Sequence, residues 1–134
     1  MIIRSLIAAI YIATAAPAAA HDPGEIVTPN FAHAIPNIPG KSLIAAVVDY
    51  PPGAASSPHS HAKSAFIYAY VVSGAIESQV DDGPRRIYRA GESFYEPPGA
   101  SHLVSRNASA TEPAKLLAVF VVDTDDKALT TPLD

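Results

Sequence analysis

Three of the five histidines stand where their rings can share one target. His59 and His61 lie two apart in Pro58-His59-Ser60-His61, and alternate residues of an extended strand face the same way, so both imidazoles can converge on one point. His102, in Pro97-Pro98-Gly99-Ala100-Ser101-His102, has to reach that point from a neighbouring strand. Neutral imidazole is the commonest side-chain ligand of first-row metals, and three of them leave coordination positions open for water or substrate. The chain has no cysteine, which excludes disulfides and thiolate ligands, so any ion is held by nitrogen and oxygen. The cofactor implied is a divalent metal, with Fe, Mn, Cu, Ni and Zn all compatible.

Such a site needs strands to carry it, and the chain beyond residue 20 reads as all-β. Residues 21–41 hold four prolines and little periodicity, which predicts an extended arm with a short strand near Ile26-Val27. Ser42 to Tyr50 is apolar and β-prone until Pro51-Pro52-Gly53 stops it, and Phe66 to Val72 is rich in aromatic and β-branched residues. Gly74 permits a turn into Ala75 to Val80, and Asp81-Asp82-Gly83-Pro84 is a hairpin signal. Arg85 to Arg89, Glu92 to Glu96, His102 to Arg106 and Lys115 to Asp123 supply four more strands. About eight or more short antiparallel strands with regularly spaced turns predict a double-sheet barrel over residues 42–123. The polar tail, residues 124–134, is expected to be loose or to pair across a dimer.

Residues 1–20 read as a secretory signal peptide. Arg4 precedes an apolar run from Leu6 to about Ala16, and Ala18-Ala19-Ala20 is a small-residue cleavage signal, placing the cut between Ala20 and His21. The run is too short to span a bilayer as a stable helix, so no stable membrane insertion is expected once the signal is removed. The destination implied is periplasmic or secreted. The remaining chain carries 8 Lys and Arg against 13 Asp and Glu, an acidic balance that argues against nucleic acid as a partner.

The two histidine segments resemble the paired motifs of the cupin superfamily, in the small single-domain, conserved-barrel group. The first motif has the form G-x5-H-x-H-x3-4-E-x6-G; Gly53, His59, His61 and Gly74 fit it. The second has the form G-x5-P-x-G-x2-H-x3-N; Gly91, Pro97, Gly99 and His102 fit, while Asn107 comes one residue late with Arg106 in its place. The resemblance covers roughly residues 42 to 123 and implies a jelly-roll, or double-stranded β-helix, barrel with the metal inside. One ligand departs from the pattern. The motif's glutamate falls on Ala65, Phe66 or Ile67, none of which binds a metal. Glu96, directly before Pro97, is the first candidate to complete the site as ligand or base, and Glu77 a weaker one. Small cupins resemble dimers that exchange terminal strands, and the proline-rich arm suits a homodimer of that kind.

A three-histidine metal can bind a small enolate, catecholate or carboxylate, with O₂ beside it if the metal is redox-active. The function implied is a small exported cupin, a metal-dependent oxidoreductase of the dioxygenase kind or a lyase acting on a small organic molecule. The alternative is a non-catalytic module that senses or carries a small ligand or metal. Phe66, Tyr68 and Tyr70 share one face of their strand, and with Tyr95 they are either core or pocket wall; Arg106 is either a surface ion pair or a holder of an anionic substrate.

Overall fold

The structure, a computed structural model, describes residues 24–134. The expected signal peptide and its cut between Ala20 and His21 lie outside the described residues. Ten strands run through the described residues: β1 (Ile26–Ala34), β2 (Lys41–Tyr50), β3 (His59–His61), β4 (Phe66–Ser73), β5 (Ala75–Val80), β6 (Arg86–Arg89), β7 (Ser93–Glu96), β8 (Ser101–Asn107), β9 (Ala114–Asp123) and β10 (Thr130–Pro132). They form two five-stranded antiparallel sheets, ordered β1-β2-β9-β4-β7 and β10-β3-β8-β5-β6. This is the all-β jelly roll that the strand pattern and the resemblance predict. Among the described residues no helix is long and apolar enough to cross a membrane.

The two sheets face each other across an apolar interior. Val48, Ala69, Val71, Ile76 and Leu116 pack at one end of it, and Ala65, Ile67, Phe120 and Val122 at the other. The histidines sit between these two clusters, since His61 packs edge-on against Phe120 and His102 against Phe94. Gly74 makes the turn between β4 and β5 at a φ of 71°, where a Cβ would lie 2.5 Å from the Pro113 carbonyl oxygen; only glycine fits both the angle and the space.

Both ends of the described residues are more ordered into the sheets than their sequences suggest. β1 extends over nine residues and pairs along β2, well beyond Ile26-Val27. Its one proline, Pro29, is tolerated because β1 is an edge strand, where a missing N–H costs no ladder bond, and a register shift falls between Pro29 and Phe31. The tail expected to be loose or to cross to a partner instead folds back on its own chain: Thr130, Thr131 and Pro132 pair with His61, Ser60 and His59. β3 is thus flanked on both sides, by β10 and by β8, and its two histidines are held in a ladder.

A bulge in β8 accounts for the late asparagine. Val80 pairs with His102 but Gln79 pairs with Val104, so Leu103 is an extra residue on the β8 side. Beyond it the alternation is shifted by one, and Ser105 and Asn107 turn inward while Arg106 turns outward. Asn107 is buried, and its amide donates to the carbonyls of Tyr50, Pro51 and Glu112, tying the end of β2 to the loop before β9.

Candidate metal centre

The pleat of β3 aims His59 and His61 the same way, and the register aligns His59 with His102 on β8. Each of the three residues offers a ring nitrogen within 4.8 Å of the others. His59 Nε2 and His61 Nε2 are 3.1 Å apart. His102 is 4% exposed, and its Nδ1 faces the same space. The cluster fits a metal site.

Glu96 enters from the opposite sheet. It is 3% exposed, and its Oε1 lies 3.4 Å from both His61 Nε2 and His102 Nδ1. Its place explains the departure from the motif. Ile67, one of the three positions where the motif expects the acid, does point inward, and its cross-strand partner on β7 is Glu96. Opposed residues of an antiparallel pair have Cβ atoms about 5 Å apart, so a carboxylate at Glu96 reaches the space that one at position 67 would.

The second nitrogen of each ring is anchored. His59 Nδ1 donates to the Ser57 carbonyl at 2.7 Å and His61 Nδ1 to the Leu129 carbonyl at 3.0 Å, while His102 Nε2 shares a 2.8 Å hydrogen bond with the Ser78 hydroxyl. A carbonyl accepts only, so both Nδ1 atoms carry protons, and Nε2 is the nitrogen each ring offers to a metal. Two lone pairs at 3.1 Å repel unless a proton or a metal cation lies between them. Nitrogens that share one ion at ~2.1 Å lie about 3.0–3.4 Å apart, the separation found here. Such outer bonds fix ring orientation and raise ligand basicity in metal sites.

Burial sets the protonation states. Desolvation, aided by His59, holds His61 down to about 4, and desolvation with His59 and His61 nearby holds His102 down to about 3. Desolvation, with a smaller push from Asp81, raises Glu96 to about 8. Without a cation, then, His61 and His102 are neutral imidazoles beside a protonated acid. Glu96 Oε1 is also the one buried side-chain oxygen or nitrogen without a hydrogen-bond partner among the described residues. A buried carboxyl oxygen left unsatisfied is costly, and a metal held by the surrounding nitrogens would supply the missing partner.

The histidines and Glu96 open onto a cavity of about 350 Å³. Its other walls include Tyr50, Ser56 and Ser105, none of which the sequence singles out. The expected pocket residues lie elsewhere. Phe66, Tyr68, Tyr70 and Tyr95 point to the outer face of their sheet, with Tyr95 61% exposed and Phe66 stacked on it at 5.7 Å. The reason is the pleat: Ile67, Ala69 and Val71 take the inner face of β4, and Phe94 and Glu96 that of β7, which turns the aromatics out. Arg106 is likewise outside the cavity, bonded to Glu77 at 2.6 and 2.8 Å on the barrel surface. That pair also removes Glu77 as a ligand, since Glu77 is claimed by Arg106 and approached by Arg85 at 3.6 Å. His33 is exposed on β1 and does not join the cluster.

Comparison with known proteins agrees with this fold. No curated protein sequence matches the chain. Among solved structures, an uncharacterized protein from Klebsiella pneumoniae with a double-stranded β-helix domain superposes with a TM-score of 0.65 at 18% identity, over 86% of this chain and 89% of that one. A recombinant oxalate oxidase in complex with glycolate gives 0.62 at 22% identity over 81% of this chain, which spans 54% of the oxidase. The DMSP lyase DddQ from Ruegeria pomeroyi gives 0.56 at 23% identity, covering 67% of this chain and 42% of the lyase. At these identities the likeness speaks for the fold. The family model of the cupin domain matches residues 46–120, more than half of the chain and inclusive of all three clustered histidines, so the chain belongs to the cupin family.

Proposed function

We propose that this chain is a metal-dependent cupin enzyme acting on a small organic molecule, as an oxidoreductase of the dioxygenase kind or as a lyase. One observation carries the proposal: the unsatisfied Glu96 Oε1 lies 3.4 Å from two imidazole nitrogens, beside a His59 Nε2 and His61 Nε2 pair 3.1 Å apart. A divalent metal held by His59, His61, His102 and Glu96 supplies positive charge and open positions for the head of an enolate, catecholate or carboxylate. His59 and His61 keep their Nδ1 protons on backbone carbonyls and so hold their rings in a ligating pose. Glu96 holds a proton at neutral pH and releases it when a cation takes its place, so loading releases acid. The cavity, about 350 Å³, has room for a small molecule beside the histidines. Relatives of this fold named as an oxalate oxidase and a DMSP lyase support both reaction classes. The leader-like residues 1–20 support a periplasmic or secreted location.

A non-catalytic ligand-binding module is the second reading. It is favoured by the fact that Glu96, once it ligates the metal, is no longer available as the base beside the histidines. Elemental analysis of protein taken from its native cell envelope tests the metal centre, with a stoichiometric first-row metal expected. Protein that binds none of Fe, Mn, Cu, Ni or Zn after reloading overturns it. Turnover of an enolic or phenolic compound that disappears in His102→Ala then separates enzyme from module.

A further inference from the structure

The cavity has a second polar pole. Tyr50, near the end of β2, is almost fully buried, and its hydroxyl lies 2.8 Å from both Ser56 Oγ and Ser105 Oγ. All three side chains line the cavity, together with apolar members such as Val48, Ala69 and Leu116. The Leu103 bulge is what lets His102 and Ser105 face inward from the same strand. At the rise of a strand, Ser105 lies on the order of 7–10 Å from His102, so the hydroxyl group is a separate station from the metal centre.

Proton counting shows what this station offers. Three hydroxyls carry three protons, and the trio makes two hydrogen bonds among its members. Whichever way the protons are arranged, one O–H is left to donate, and no protein acceptor is paired with it among the described residues. Charge narrows the class of acceptor. No lysine or arginine among the described residues lines the cavity, whereas Glu25 does. Burial chiefly, with Glu25 adding to it, pushes the Tyr50 phenol above its ordinary value, so it stays a donor.

We propose that Tyr50, Ser56 and Ser105 form a tail subsite that donates a hydrogen bond to an uncharged acceptor on the ligand whose head meets the histidines. The cavity then selects a small molecule with a chelating head, an apolar body and a neutral carbonyl, ether or hydroxyl tail, and it rejects a second carboxylate. The inference deepens the metal-centre proposal and rests on it for the head.

Three catechols with one head and different tails test it: 3,4-dihydroxyacetophenone (neutral acceptor), 4-methylcatechol (apolar) and 3,4-dihydroxybenzoate (anionic). Cobalt stoichiometry of the full chain is measured first, and each catechol is then titrated by calorimetry. The acetophenone is expected to bind about three- to tenfold tighter than the methyl compound, the range a single net hydrogen bond supplies, and the benzoate weakest of the three. Removing all three hydroxyls together, Tyr50→Phe with Ser56→Ala and Ser105→Ala, should close the first gap with cobalt uptake unchanged, whereas Ser56→Ala alone leaves one free O–H and should keep it; Glu25→Gln should narrow the second. A benzoate that binds tightest overturns the subsite, and so does a ranking that the triple variant leaves unaltered. Absent cobalt uptake overturns the metal centre instead, and the tail ranking is then read in the metal-free protein.

Discussion

Glu96 and Glu77 are the same side chain in two opposite settings. Glu96 points between the sheets, is almost fully buried, and faces two imidazoles with no lysine or arginine paired to it. Glu77 points outward from β5 and is held by two arginines. Strand parity decides between them: Glu96 shares its face of β7 with Phe94, and Glu77 lies on the face of β5 opposite Ile76 and Ser78. The difference teaches that a carboxylate becomes a ligand candidate through what surrounds it. Buried without a cation, it is forced to stay protonated or to find a metal; half-buried at the barrel surface between arginines, it is already satisfied.

The sharpest way to break this contrast is to remove a ring rather than an acid. His61→Ala or His102→Ala takes away a buried nitrogen for which no other side chain substitutes, and metal affinity should fall by more than about 100-fold, beyond the 10–100-fold typical of outer partners. Competition against a chromophoric chelator measures it. Undiminished affinity in both variants would remove the histidines from the centre. Glu96→Gln should cost about 10–100-fold, since the amide keeps the shape and loses the charge. The cross-strand relation gives that prediction a sharper form. Ile67→Glu in the Glu96→Gln background puts a carboxylate on the directly opposed residue and should recover part of the loss, which the same chelator titration reads.

Metal-free protein carries a pH signature of the same contrast. His61 and His102 are held below their unfolded value of 6.5, so their contribution is present above 6.5 and is lost as pH falls toward about 4 and 3. Glu96 is held above its unfolded value of 4.5, so its contribution is present below 4.5 and is lost as pH rises through about 8. Between 4.5 and 6.5 two histidines outweigh one glutamate. Stability in the presence of a chelator should therefore climb from about pH 3 to about 6.5 and decline from there to about 8. Urea unfolding across that range checks it, and Glu96→Gln should flatten the decline. A decline that persists unchanged in Glu96→Gln assigns it to another group.

Sequence made the histidines legible because their spacing is local: i and i+2 on one strand, and a fixed offset within the second motif. It also made the strands legible, because proline, glycine and paired aspartates mark their ends. It could not say which face of β4 looks inward, since Phe66, Tyr68, Tyr70 and Ile67, Ala69, Val71 are both apolar; burial went to the smaller set, which leaves room for the cavity. Three further features depend on pairing across long separations, which no local pattern carries. These are the alignment of Ile67 with Glu96, the bulge at Leu103, and the meeting of Tyr50 with Ser105.

The smallest expected effect completes the contrast. Glu77→Gln leaves Arg85 and Arg106 without their acid at the surface, where ion pairs contribute about 0–1 kcal/mol. Stability should drop by no more than that, the drop should shrink in high salt, and metal affinity should not change. The salt arm matters because it separates a screened surface pair from a packing defect, which salt does not relieve. A change in metal affinity comparable to that of Glu96→Gln would mean that the charge of Glu77 reaches the histidines through β8, where Glu77 pairs with Arg106, four residues from His102. In that case the outer and inner faces of the barrel would act as one electrostatic unit, and parity alone would not divide the two acids.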